Sequence, residues 1–100
     1  MRRVRLHDDA RRELAHEAQY YAAISKPLGQ RLVTAVEEAL ALAAEFPESG
    51  TLYLHGTRRV FTKRFPFSLV YLHRGDEVYV LALAPFKRRP GYWRDRRSAA

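Results

Sequence analysis

Two consecutive runs of this chain, Phe65 to Leu72 and Val78 to Ala84, are apolar on both of their alternating faces. In the first, Phe67, Leu69 and Tyr71 share one face and Ser68, Val70 and Leu72 the other; in the second, Val78, Val80, Ala82 and Ala84 face opposite to Tyr79, Leu81 and Leu83. Strands of this kind belong in the middle of a sheet with both faces covered. The segment between them, His73-Arg74-Gly75-Asp76-Glu77, supplies a hairpin turn containing glycine. The predicted centre of the fold is therefore a hairpin that needs two covers.

The preceding half of the chain supplies one of them. From Ala10 to Ile24 the positions Leu14, Ala18 and Tyr21 follow helical spacing, with Arg12, Glu13, His16 and Gln19 on the opposite side. Ser25-Lys26-Pro27-Leu28-Gly29 interrupts the pattern. Leu32, Val36, Ala39, Leu40 and Ala43 then resume it until Phe46-Pro47-Glu48-Ser49-Gly50. Two antiparallel helices, an αα-hairpin, are expected, and they reach only one face of a small sheet. The other face needs the tail around Tyr92 and Trp93 or a partner that folds onto it, since large exposed apolar patches mark such sites. Val4 and Leu6 alternate with Arg3 and Arg5 as a short strand, Thr51 to Gly56 is expected as a loop, and Arg58 to Lys63 as a strand. The expected fold is α+β, with an N-terminal strand, an αα-hairpin packed on a small, mostly antiparallel sheet, and a basic C-terminal tail. Residues 1–97 form one domain and residues 98–100 a disordered end.

At 47% apolar over 100 residues, a single small domain buries roughly 60 to 65% of its unfolded surface. The chain has no cysteine, which excludes a disulfide framework and thiolate metal sites and suits a reducing cytosol. The start, Met1-Arg2-Arg3-Val4-Arg5-Leu6-His7-Asp8-Asp9, lacks the apolar run of a secretory signal. The longest apolar run, Val78 to Phe86, is about half of the roughly 20 residues a membrane helix needs, so no membrane segment and a cytoplasmic location are expected. Charge is distributed unevenly. Residues 1–57 hold seven Lys/Arg against eight Asp/Glu, a net of −1, whereas residues 58–100 hold eleven against three, a net of +8, so nearly the whole excess of +7 sits in one half. Clustered Lys and Arg attract phosphate backbones or acidic protein segments, which points to nucleic acid, a nucleoprotein or an acidic protein.

His7, His16, His55 and His73 have no metal-site spacing, and neither a Gly-rich phosphate loop nor a nucleophile elbow is present, so no metal or cofactor is expected. What remains is basic and aromatic: Arg58, Arg59, Lys63 and Arg64 around one strand, and Lys87, Arg88, Arg89, Tyr92, Trp93, Arg94, Arg96 and Arg97 after another. Lys and Arg hold a phosphate and stabilise the charge that grows in phosphodiester cleavage, while a tyrosine or a lysine of lowered pKa moves the proton. A metal-independent ribonuclease would need these groups to converge. Its alternatives are a basic tail without catalysis, and a turn at Pro90-Gly91 whose Trp93 plugs the tail against the sheet.

Six fragments in order carry a family resemblance: Ala18-Gln19-Tyr20-Tyr21, Leu28-Gly29-Gln30-Arg31-Leu32, Phe46-Pro47, Gly56-Thr57-Arg58-Arg59, Phe65-Pro66-Phe67-Ser68-Leu69-Val70-Tyr71 and Arg88-Arg89-Pro90-Gly91-Tyr92-Trp93. Together they resemble the RelE/ParE toxins of bacterial type II toxin-antitoxin modules over about residues 2 to 96. The resemblance implies a cytosolic toxin in a heteromeric complex with a cognate antitoxin that wraps around it and neutralises it. RelE-like members cut mRNA on the ribosome with basic residues on central strands, an arginine after the last strand and a tyrosine near the C-terminus, for which Lys63, Arg88 and Tyr92 are the counterparts. Those ribonucleases carry an arginine on the third strand where this chain has Ser68. ParE-like members instead block DNA gyrase, and Phe65-Pro66-Phe67 leading into an apolar strand is more similar to them. On that implication Arg58, Arg59, Arg64, Arg89, Trp93 and Arg94 contact the target. A ribosome-dependent ribonuclease and a non-toxic remnant that only binds its antitoxin are the alternatives.

Overall fold

The computed structural model describes residues 2–99. Five strands and two helices follow in the order β1 (Arg3–Leu6), α1 (Asp8–Ile24), α2 (Lys26–Glu45), β2 (Thr51–Tyr53), β3 (Thr57–Phe61), β4 (Phe67–Arg74) and β5 (Glu77–Pro85), and a 3-10 helix, Arg94–Ala99, closes the chain. The strands form one sheet in the order β1-β5-β4-β3-β2. β1 runs parallel to β5, and every other pair is antiparallel. The expected α+β architecture is present. Of the tail expected to be disordered at 98–100, Ser98 and Ala99 belong to the 3-10 helix, and residue 100 lies outside the described residues.

The helical hairpin is made with a single connecting residue. Ser25 has extended backbone, its N–H donates to the Tyr21 carbonyl at the end of α1, and its hydroxyl accepts from the Leu28 N–H at the start of α2. Pro27 sits in the first turn of α2, where its missing N–H costs nothing because that position has no intrahelical acceptor. At the other end of the pair, the His7 ring caps α1 by accepting from the Asp9 N–H at 3.0 Å. Asp8 and Asp9 in the first turn complement the positive end of the helix dipole.

Both helices lie on one face of the sheet. Leu32, Val36, Ala39 and Ala43 of α2 pack with Phe67, Leu69, Tyr71, Val78, Val80 and Leu83, and Leu14 and Tyr21 of α1 flank them. A register shift between Val70 and Tyr71 corrects the expected alternation on β5. Val70 pairs with Ala82 but Tyr71 with Val80, so Leu81 is an extra residue. A bulge of this type turns the strand over locally. Leu83 therefore joins Val78 and Val80 under the helices, while Ala82 and Ala84 join Tyr79 and Leu81 on the far face. That far face is covered by the chain's own tail: Trp93, only 1% exposed, packs with Val70, Leu72, Tyr79, Leu81 and Ala82.

The segment expected as a loop at Thr51–Gly56 contains β2 and a short 3-10 turn, Leu54–Gly56. His55 and Gly56 take positive φ there, and the Thr57 hydroxyl donates to the Leu54 carbonyl at 2.7 Å, closing the connection to β3. At its far end β3 stops at Phe61, short of the expected Lys63. The Thr62 side chain donates to the Phe65 and Phe67 carbonyls, which turns the chain before Lys63 is reached.

The exit of α2 is tied to the sheet by one buried hydroxyl. Tyr71 on β4 donates to the Pro47 carbonyl at 2.7 Å, and a Cβ at Gly50 would lie 2.3 Å from that hydroxyl, so only glycine fits. Tyr71→Phe leaves the Pro47 carbonyl unsatisfied and is expected to cost about 1–3 kcal/mol, measured as a lowered urea midpoint with unchanged slope. A midpoint equal to the parent's would show that water replaces the bond.

Candidate functional site

The chain following β5 folds back over the sheet and leaves a cleft of about 310 Å3 between itself and β3–β4. Its floor is set by register. Phe61 stands opposite Ser68 and Arg59 opposite Val70, so Arg59 and Phe61 share the face that carries the tail. The tail is fixed by backbone bonds from the Phe86 N–H to the Pro66 carbonyl, from Arg88 to Pro85, and from Tyr92 to Arg89. Gly91 makes the return at φ +84, where a Cβ would stand 3.3 Å from the His55 ring nitrogen. The last turn is tied down by Arg97, whose guanidinium donates to the His55 carbonyl at 2.8 Å.

Cations and aromatic rings alternate around this cleft. The Arg59 guanidinium lies 3.9 Å from the Tyr53 ring centre and 4.9 Å from that of Phe61, an arrangement stabilised by the ring quadrupole. Its Nε is buried without a hydrogen-bond partner. Arg88 stacks on Tyr92 at 3.7 Å and remains half exposed. Phe61 and Phe86 meet edge to face at 5.7 Å and are 50% and 55% exposed, forming an aromatic lip. Such a surface offers charge to an anionic group and ring faces to a planar one.

Beneath the tail, Glu13 of α1 gathers four donors. Arg96 donates to both of its carboxylate oxygens at 3.0 Å, Tyr92 donates its hydroxyl to Oε2 at 2.7 Å, and the Leu83 N–H donates to Oε1 at 3.1 Å. Arg96 also donates to the Leu81 carbonyl at 2.9 Å. The reason lies in the sheet. β1 pairs with β5 only as far as Leu6 opposite Val80, so the outer edge of β5 beyond that point has lost its neighbouring strand. Burial, then the hydrogen bond and negative charge of Glu13, push the Tyr92 phenol well above its ordinary value. Desolvation opposes the charged form of Arg96, but the bond to Glu13 and its charge win, and the guanidinium is held more firmly protonated.

The residues singled out from sequence separate accordingly. Arg88, Arg89 and Tyr92 come together in the cleft with Arg59. Lys63 does not join them: it lies in the turn after β3 and, with Arg64, lines a groove beside Arg31 and Glu38 of α2. Arg58 lies opposite Tyr71 on the helix side and donates to the Glu48 and Gly50 carbonyls at 3.0 and 2.9 Å, holding the α2–β2 connection. Trp93, expected among the target contacts, is buried and packs the tail down, the arrangement of the aromatic-plug alternative. Arg94 is exposed at the start of the 3-10 helix. Helical spacing puts Glu13 on the polar side of its helix, and nothing in that spacing distinguishes it from Glu17 or Arg12. Among the described residues, no three His, Asp or Glu side chains converge so as to hold a metal ion, and no helix is long and apolar enough to cross a membrane.

Because the Tyr92 phenol titrates higher folded than its ordinary 10.0, its contribution is fully present below pH 10 and is lost as pH rises through the folded value. Tyr92→Phe removes a hydrogen bond to a carboxylate and is expected to cost about 1.5–3 kcal/mol at neutral pH. The variant should also lose less stability than the parent between neutrality and strongly alkaline pH. Parallel stability curves for the two proteins would contradict a protonated Tyr92 held on Glu13.

The family model described as "ParE toxin of type II toxin-antitoxin system, parDE" matches residues 4–90, from within β1 to the turn after β5. Among solved structures, one described as the chromosomal ParDE TA system from P. aeruginosa superposes with a TM-score of 0.74 at 19% identity, covering 87% of this chain and 98% of that one. At that identity the likeness is one of fold. No curated protein matches. With the family model spanning most of the chain, the protein belongs to the ParE toxin family of type II toxin-antitoxin systems.

Proposed function

We propose that this ParE-family toxin arrests growth by binding DNA gyrase in the cytoplasm, that the cleft at Arg59, Arg88 and Arg89 contributes the target contacts, and that a cognate antitoxin neutralises it in a heteromeric complex. One observation carries the choice of binding over cleavage. Tyr92, the phenol the family resemblance puts forward for proton transfer, donates its proton to Glu13 and is held protonated, the cleft's other phenol, Tyr53, lies against the Arg59 guanidinium, Lys63 lines another groove and Ser68 lies buried on the floor. A general base has to be in reach of the proton it takes and free to accept it. What the cleft offers instead is fixed positive charge and aromatic surface. Exposed apolar side chains on the helices and their exit, Tyr20, Ile24, Leu42 and Phe46, support a protein partner that covers them.

The test compares supercoiling by purified gyrase with mRNA cleavage on programmed ribosomes, using the parent, Arg59→Ala and Arg88→Ala. The expected result is inhibited supercoiling without mRNA cuts, and inhibition weakened roughly tenfold or more by either substitution, the scale of one lost charged contact. Cuts that disappear with Arg88→Ala would replace this reading by a ribosome-dependent ribonuclease. No growth arrest on expression and no effect on either target would leave a remnant that only binds its antitoxin.

A further inference from the structure

We propose that Glu13 is the positioning residue of the basic cleft: from α1 it holds Tyr92 and Arg96 and thereby sets where Arg88 stands, acting on target binding without touching the target. This rests on the reading of the cleft as the target-contact surface. The tail leaves the sheet at Pro85 and returns at Arg96. Between these points Arg88 projects half exposed, with only one ring beneath it, that of Tyr92 at 3.7 Å. The Tyr92 hydroxyl is in turn held by Glu13 Oε2, which also lies 3.7 Å from the nearest Arg88 nitrogen. Glu13 therefore places Arg88 twice, through the stacked ring and through direct attraction.

The carboxylate is well matched to this task and to little else. Its side chain is 15% exposed and that of Arg96 14%, so the pair is largely out of water, where losing either partner strands the other charge. Together they take the Leu83 N–H and the Leu81 carbonyl on the edge that β1 leaves unpaired, replacing two ladder bonds with side chains. The Glu13 carboxylate's hydrogen bonds and ion pairs go to that edge and to the tail. It does not belong to the apolar cluster that joins the helices to the sheet. Removing it is therefore expected to free the tail while the helical layer stays folded. Tyr92 and Arg96 both lie beyond residue 90, where the family match stops.

The single tryptophan, Trp93, lies under the tail and reports its docking directly. In Glu13→Ala, cooperative helical melting should persist while quenching of Trp93 by acrylamide rises. In case that variant does not fold, Glu13→Gln keeps the size and one acceptor for Leu83 and should show the same change more weakly. The second readout is a double-mutant cycle on gyrase inhibition. If Glu13 acts through Arg88, then Glu13→Ala weakens inhibition about as much as Arg88→Ala, roughly tenfold or more, and the double variant is no worse than either, whereas independent sites would add. Trp93 equally shielded in folded Glu13→Ala or Glu13→Gln overturns the proposal, as does additivity in the cycle. Should the parent fail to inhibit gyrase, the functional reading falls by itself, and the quenching result alone then decides the role of Glu13.

Discussion

Both faces of the β4–β5 hairpin must be kept from water, and the rest of the molecule is arranged around that requirement. Val70, Leu72, Tyr79, Leu81 and Ala82 are as apolar as the face beneath the helices, and side chains of this size contribute roughly 1.5–3 kcal/mol each when fully buried. One helical hairpin reaches only one side. The second side is closed chiefly by Trp93, flanked by Tyr53 and Tyr92, and carried on a tail too short to form a layer of its own. A tail held only by one indole would fray, because chain ends bear few contacts. The Glu13–Arg96 pair supplies the missing anchor, and it stands where β5 had polar edge groups to satisfy.

This arrangement joins stability to the proposed target surface. The turn that lets Trp93 reach the sheet also lifts Arg88 and Arg89 beside Arg59, so the cover of the core and the wall of the cleft are one segment. Positive charge accumulates there: Glu13 is engaged chiefly by Arg96 and stands 3.7 Å from Arg88, and the Arg59 and Arg88 guanidinium groups lie against rings. Interactions of such exposed guanidinium groups are long-ranged at low salt and are screened within about 8 Å at physiological ionic strength. The surface is suited to steering an anionic partner and then stacking against it. The ParE family match spans residues 4–90, and the fold shared with the ParDE system extends over most of this chain.

The elements whose signal is local were legible from sequence. α1 begins and ends within two residues of where apolar periodicity puts it, whereas the interruption expected over Ser25–Gly29 shrinks to Ser25, because Lys26-Pro27-Leu28-Gly29 make the first turn of α2. The β4–β5 hairpin was legible through its run lengths and Gly75. β2 was not, since a three-residue edge strand has no periodicity to detect and exists only by pairing with β3. Nor was the bulge, which depends on how two strands meet. It exchanged the faces of Ala82 and Leu83. In the site, Arg59, Arg88, Arg89 and Tyr92 were visible as a basic and aromatic cluster, whereas the separation of Lys63 follows from a turn made by Thr62.

By itself, the order of residues determined the fold class, the doubly apolar hairpin, the concentration of positive charge in one half and the family, because each is written in composition, spacing or contiguous fragments. Only the tertiary structure decided what each polar side chain does. Arg58 and Arg59 are neighbours, yet the strand sends one to carbonyls behind the sheet and the other into the cleft. Glu13 and Arg96 are 83 residues apart and meet because β1 stops at Leu6. Hydrogen bonds and ion pairs act over about 3 Å, so their partners are chosen by the path of the backbone through space.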